Sequence, residues 1–302
     1  MRYYKEQLII LRHRKSEVYV NEEIQQYKTH ISSAHHLFDL HIRETLQYRD
    51  LIFLFVKRDF TAQYKQTILG PLWLVLTPIL TSLMYAFVFG NVAGISTDGV
   101  PKVLFYLFST AAWTMFSSNI SSCAGTFTNN VSLMGKVYFP RLAVPVSQLI
   151  SSSIRFLIQL LPAFAFYAYY LAAGQIHANP AYAWLFVTSM LQLALLSYGF
   201  GIIVCALTTK YRDLTVLVSF GLSLWMFATP VAYPLSALNG RFYLAACINP
   251  AAAPMELLRF SLWGNTVITP AQIALSWVLT LLAVLAGTLL FNHVERVFAD
   301  TV

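Results

Sequence analysis

Residues 57–73 read KRDFTAQYKQTILGPLW, and the change of character inside this stretch decides how the rest of the chain is read. Its first part is polar and basic, and its end opens an apolar run through Leu69-Gly70-Pro71. Proline suits the first position of a helix, where its missing N–H would have no partner anyway. Glycine supplies the backbone freedom that a sharp change of direction needs. The stretch therefore predicts a chain that lies along a membrane surface to about Leu69 and then turns into a long apolar helix.

Composition agrees. The chain is 57% hydrophobic and 11% charged, whereas a soluble domain carries about 25% charged residues. It reads as a polytopic membrane protein. In a soluble chain the net charge of +7 would suggest nucleic acid; here an excess of cytoplasmic Lys and Arg explains it, and no nucleic acid partner is expected. Cys123, Cys205 and Cys247 are odd in number and far apart, which argues for small buried residues over a disulfide framework. The first 50 residues lack an apolar signal core, so the first span is expected to act as an uncleaved signal-anchor.

Upstream, residues 1–45 read as a cytoplasmic extension. They hold five of the seven histidines (His13, His30, His35, His36, His41), but the spacing matches no ligand pattern and no metal site is expected. Residues 46–69 form an amphipathic interface helix and its turn. The apolar run of six from Leu51, between Arg49-Asp50 and Lys57-Arg58, is far shorter than the ~20 residues of a spanning helix. A basic amphipathic segment of this kind lies in the interface plane; an ordinary cytoplasmic helix is the alternative.

Downstream, residues 70–302 read as an all-α permease domain of six transmembrane helices, near 70–92, 103–125, 144–171, 182–207, 214–233 and 268–291. Each approaches the length needed to cross a hydrocarbon core of about 30 Å. With the N-terminus inside, sixteen of the twenty Lys and Arg fall on the cytoplasmic side and three outside, which sets an N-in, C-in orientation. The twentieth is Arg155, within the third span and roughly 15 Å along the helix from Pro145 at 1.5 Å per residue. An intramembrane cation is a functional-site hypothesis by default. Gln148, Ser152, Arg155 and Gln159 recur on one face, and no acid lies in any of the six expected spans. A carbonyl, water or an anionic substrate is the expected partner of Arg155; hydrogen bonding that glues helices together is the plainer alternative.

Residues 229–267 are cut by Pro230, Pro234, Pro250 and Pro254 into pieces too short to span. Glu256 and Arg259 within them are spaced to pair on a helix. Tyr85, Phe87, Trp225, Phe227 and Tyr233 could line a path for sugar rings, whose faces aromatics accept, or could belong to lipid-facing belts. No phosphate-binding loop is present: Gly135-Lys136-Val137 lacks the upstream glycine and the hydroxyl. No zinc-protease or serine-hydrolase motif and no intramembrane carboxylate pair appears either.

Several strings share a pattern: Arg58-Asp59, Tyr64-Lys65-Gln66, Leu69-Gly70-Pro71-Leu72-Trp73, Lys136 with Tyr138-Phe139-Pro140-Arg141, Tyr211-Arg212-Asp213, Asn249-Pro250, Met255-Glu256-Leu257-Leu258-Arg259 and Phe298-Ala299-Asp300. From about residue 46 onward the chain resembles permease subunits of ATP-binding-cassette exporters of lipid-linked polysaccharide, the Wzm/TagG-like group that handles O-antigens, capsules and teichoic acids. The resemblance implies a homodimer with a channel between protomers, in a bacterial inner membrane. Two copies of a separate ATPase subunit would bind ATP and Mg, so no cofactor is expected in this chain. The substrate implied is an undecaprenyl-diphosphate-linked polysaccharide. The inner loop 126–143, with Lys136, Tyr138, Phe139, Pro140 and Arg141, would dock on the ATPase. Residues 234–267, with Asn249, Pro250, Glu256 and Arg259, would form two short re-entrant outer gate helices between the fifth and sixth spans. Lys57, Arg58, Lys65, Leu69 and Gly70 would receive the lipid head group, or bind anionic bulk lipid only. Two rival functions are a small-molecule efflux permease of the same superfamily and a membrane glycosyltransferase.

Overall fold

The computed structural model describes residues 45, 47–65, 67–127, 129–130, 139–178, 180–211, 213–264 and 268–299, with side chains as far as Val294. Among the described residues the chain is helical and has no strand. We number the helices α1 (Arg49–Tyr64), α2 (Trp73–Tyr85), α3 (Lys102–Ala124), α4 (Ala143–Ala172), α5 (Ala183–Lys210), α6 (Leu214–Ala228), α7 (Arg241–Ile248), α8 (Ala252–Trp263) and α9 (Pro270–Ala299).

The turn that opens the reading forms as expected. Gly70 takes φ +50°, and Pro71 stands in the first turn of a short 3-10 segment, Gly70–Leu72, that runs into α2. Pro78 sits inside α2, and the helix continues as a wider π-wound segment, Ala86–Val92. Four helical stretches among the described residues are long and apolar enough to cross a membrane: Gly70–Val92, Ala143–Ala172, Pro180–Lys210 and Pro270–Val294.

Two of the six expected spans differ from this. The second, expected at 103–125, is the 23-residue α3. Its many Ser, Thr and Asn residues keep its hydropathy low, and most of its side chains are buried by other helices. The fifth, expected at 214–233, stops at Ala228 after 15 residues, about 22 Å at 1.5 Å per residue. The cause is local. Thr229 precedes Pro230, whose ring disfavours the α conformation in the residue before it, and Thr229 is extended at φ −104°, ψ 145°.

At the centre lies α3, packed on α2, α4, α5, α6 and α8. Phe108, fully buried, meets Phe164, Phe186 and Trp263 edge-on or tilted, with centroids 5.4, 6.4 and 6.2 Å away. Helices α5 and α9 approach closely: a Cβ on Gly287 would stand 2.7 Å from the Gly199 carbonyl oxygen. Small residues at such crossings let backbones approach where lipid supplies no hydrophobic drive between helices. Buried polar groups bridge the same bundle: Asn119 Nδ2 donates to Ser197 Oγ at 2.9 Å, and Gln192 Nε2 to Ser276 Oγ at 2.8 Å.

Helix α1 is not splayed from the bundle. Ile52, Phe55 and Val56 are buried; Ile52 and Phe55 form a cluster with Phe139, Ala143 and Val144, and the Phe55 and Phe139 rings stand 5.7 Å apart. Near its other end Gln63 meets Arg155 of α4. The start of α1 thus faces the start of α4 and its end faces a point twelve residues further on.

Candidate translocation site

Around the first turn, Lys57 and Lys65 are exposed and make no ion pair among the described residues. Arg58 is committed. Its Nε and Nη2 donate to Asp59 Oδ1 at 3.0 and 2.9 Å, its Nη1 donates to Asn130 Oδ1 at 3.0 Å, and its guanidinium lies 4.9 Å from the Phe55 ring centre. Leu69 and its neighbour Ile68 are exposed, and no atom stands within 4 Å of where a Gly70 Cβ would be. This corner offers two unpaired ammonium groups, an apolar tip and open space. Arg58 holds α1 to the chain beyond α3.

Arg155 does not project into the centre of the bundle. Its Nη1 donates to Gln63 Oε1 at 2.9 Å, its Nη2 to Ser152 Oγ at 3.3 Å, and Phe60 lies 5.9 Å beneath it. Asp59 lies close enough to act on it electrostatically. Asp59 lies outside the spans, on α1, and its ion pair is with Arg58. Burial raises the Tyr64 phenol above its ordinary value, and the Arg155 charge opposes that shift. The rest of the expected stripe is present: Gln148 is half-buried, while Ser152 and Gln159 are buried, and Gln159 Oε1 has no hydrogen-bond partner among the described residues.

The five aromatic candidates divide. Trp225 faces inward, against Phe116 at 5.1 Å and Phe200 at 4.9 Å, and its indole N–H donates to Asn249 Oδ1 at 3.0 Å. Trp225 is half-buried. Tyr85 is half-buried, edge-on to Phe89 and Tyr106, and its hydroxyl reaches Met226 Sδ at 3.5 Å. Tyr233 donates to the Phe227 carbonyl at 2.9 Å. Phe87 and Phe227 present exposed rings.

Of the expected docking residues, Lys136 and Tyr138 lie outside the described residues, as do the five N-terminal histidines and Arg212. Phe139 and Pro140 are buried, because Phe139 is part of the seat for α1. Arg141 is half-buried beside the start of α4.

The expected pair of short helices is present as α7 and α8. Asn249, in the turn between them, accepts from Trp225 and donates through Nδ2 to the Ala228 carbonyl at 3.0 Å and to Thr229 Oγ1 at 2.9 Å. Pro250 accepts at its carbonyl from Ser276 Oγ at 2.7 Å. Glu256 and Arg259 do pair, one turn apart on α8, with side chains only 3% and 2% exposed. Arg259 also donates to Ser109 Oγ at 3.1 Å and to the Pro230 carbonyl at 2.7 Å, and it lies 4.4 Å over the Phe105 ring. A buried charge survives only when paired and hydrogen-bonded, and this one is. Sequence reasoning found the pair but missed Phe105, Ser109 and Pro230, because nothing in the spacing places α3 against α8. No group of three His, Cys, Asp or Glu able to hold a metal occurs among the described residues.

A helical bundle with several helices long and apolar enough to cross a membrane, a small-residue crossing and a buried ion pair defines a polytopic membrane protein. Residues 50–263 match the family described as ABC-2 type transporter, and the chain belongs to that family. It is a multi-pass inner-membrane protein. The chain is 25% identical over 253 residues to an O-antigen export system permease protein RfbA of Klebsiella pneumoniae, covering 83% of this chain and 94% of that one. It is 30% identical over 219 residues to an O-antigen export system permease protein RfbA of Myxococcus xanthus, covering 71% and 80%.

Proposed function

We propose that this chain is the channel-forming subunit of an ATP-driven exporter that moves an undecaprenyl-diphosphate-linked polysaccharide outward across the inner membrane. Two copies form the channel and two copies of a separate ATPase subunit, which holds ATP and Mg, drive it. In this reading the six apolar segments all cross, with both termini inside, α3 doing so under cover of its neighbours and α6 with most of its apolar side chains exposed. The observation that carries the proposal is the corner at residues 57–70. Exposed Lys57 and Lys65 precede the exposed apolar Ile68 and Leu69 along the chain, and no atom stands within 4 Å of where a Gly70 Cβ would be. Basic side chains at an inner leaflet attract phosphate at about 1 kcal/mol each, and the apolar tip suits the lipid tail behind it. The relatives' names support the polysaccharide.

The test is deletion of the gene, with surface glycan and cytoplasmic lipid-linked glycan measured together. Loss at the surface with accumulation inside is the expected result. Loss of both pools would point to a glycosyltransferase, and an unchanged surface to efflux of small molecules; either would overturn the proposal.

A further inference from the structure

Arg155 and Arg259 both stand between packed helices, but they are neutralised differently. Arg259 has Glu256 beside it. Arg155 makes no ion pair among the described residues: Asp59 acts on it electrostatically but gives its ion pair to Arg58. The partners of Arg155 are neutral, Gln63 and Ser152, and they use two of the five N–H groups that a guanidinium carries. A half-buried cation with only neutral partners draws an anion, because its charge is costly to hold unpaired.

Its depth names the anion. Helix α4 has 30 residues, about 45 Å at 1.5 Å per residue, against a hydrocarbon core of about 30 Å. The helix ends at Ala172, and exposed Gln175 and His177 follow. Counting about 20 residues back from that end sets the other edge of the core near Ser152, with Arg155 about 5 Å inside it. An arginine at that depth reaches the interface along its apolar stem. Its contact with Gln63 agrees, since α1 also carries the exposed charge of Lys57, which hydrocarbon would not accept. With α4 starting on the inner side, Arg155 lies at the layer of inner-leaflet phosphates and glycerol esters.

The surface around it suits a lipid. Ile154, Ile158 and Leu161 recur at i, i+4 and i+7, so they share a face beside Arg155; Ile154 and Ile158 are half-buried and Leu161 is 66% exposed. One turn deeper than Arg155 stands Gln159, 8% exposed, with Oε1 buried and unpartnered. Its amide makes no hydrogen bond among the described residues. One turn is about 5.4 Å, so this amide stands on the acyl side of a phosphate held by Arg155, where the ester carbonyls of a phospholipid lie. A single unpaired guanidinium also matches the one charge of a phosphodiester better than the diphosphate of a polyprenyl carrier.

We propose that the groove between the end of α1 and α4 is a phospholipid site. Arg155 forks onto the phosphodiester of an inner-leaflet phospholipid, Gln63 and Ser152 hold the guanidinium in place, Gln159 donates to an ester carbonyl, and an acyl chain lies along Ile154, Ile158 and Leu161. Basic pockets between membrane helices on the cytoplasmic side are where acidic head groups bind. The inference uses the inner-side start of α4 and does not depend on what the permease carries.

The experiment titrates the purified full chain in detergent with phosphatidylglycerol and reads the thermal unfolding midpoint, which a ligand of the folded state raises. The expected result is a midpoint that climbs with phosphatidylglycerol, but not with inorganic phosphate or with diacylglycerol of the same chains, and that does not climb in Arg155→Gln. Arg155→Lys keeps the charge without the fork; it should need more lipid for the same climb, and it serves as the readout should the glutamine variant not fold. The double variant Lys57→Gln with Lys65→Gln should climb as the unsubstituted protein does. An undiminished climb in the Arg155 variants would overturn the proposal. So would loss of the climb in the double lysine variant, which would move the phosphate to the corner at residues 57–70. A climb with undecaprenyl diphosphate and none with phosphatidylglycerol would also overturn it, and would give Arg155 to the carrier lipid. Each of these results leaves the deletion phenotype intact, so failure of the lipid site is distinguishable from failure of the exporter reading.

Discussion

Replacing Arg259 with methionine removes a guanidinium that is 2% exposed while leaving the Glu256 carboxylate, 3% exposed, without its cation. Breaking one side of a buried ion pair costs about 3–5 kcal/mol, most of it the desolvated charge left behind. The cation–π contact with Phe105 at 4.4 Å adds about 0.5–2 kcal/mol. Against a total stability of about 5–15 kcal/mol, Arg259→Met is expected to lower the thermal unfolding midpoint of the purified permease sharply. Glu256→Met should cost a similar amount, since it strands the cation instead. The double variant Glu256→Met with Arg259→Met removes both charges, and well-packed apolar replacements of a buried pair are often close to neutral. It should therefore recover most of the loss, although Ser109 and Pro230 lose their donor. The assay is a double-mutant cycle in detergent, read by thermal unfolding. A double variant that unfolds as early as the worse single one would refute the claim that uncompensated charge is the dominant cost.

Three further outcomes are expected. Gly287→Leu should force α5 and α9 apart, because even a Cβ there meets the Gly199 carbonyl oxygen at 2.7 Å and Ile202 Cγ1 at 2.5 Å; a loss of about 1–3 kcal/mol, seen as lowered membrane abundance and unfolding midpoint, checks it, with Gly221→Ala, which meets no atom within 4 Å, as the tolerated control. Arg155→Gln and Gln63→Ala should impair export to similar extents and not add when combined, since each removes the same 2.9 Å contact between α1 and α4; additive effects would show that Arg155 acts elsewhere. Arg141→Glu should uncouple ATP hydrolysis from glycan export in the reconstituted complex, and coupling at the unsubstituted level would remove the docking role of the 126–143 loop.

Much of the site was legible where the signal is local. The glycine–proline turn at residues 70–71, the short helices broken by Pro234 and Asn249-Pro250, and the Glu256–Arg259 spacing each depend on backbone chemistry or on neighbours one turn apart, and each appears in the structure. The early end of α6 was also written in Thr229-Pro230, but the apolar run through Val231 and Ala232 masked it.

By itself, the amino-acid sequence determined that this chain is a helical membrane protein, where its long helices begin and end to within a few residues, and that no soluble catalytic apparatus is visible in it. Those properties follow from hydropathy and from turn chemistry, which act along the chain. Only the tertiary structure decided which way the side chains face. In a helix apolar on every side, periodicity no longer marks an inner face, so it does not foretell that Trp225 packs on Phe116 and Phe200, just as nothing local foretells that Phe139 packs on α1. The partner of Arg155 lies 92 residues away on α1, and the surroundings of Arg259 assemble from α3, α8 and the Pro230 carbonyl. Contacts of that kind are set by which helices pack together, and no spacing within one segment encodes them.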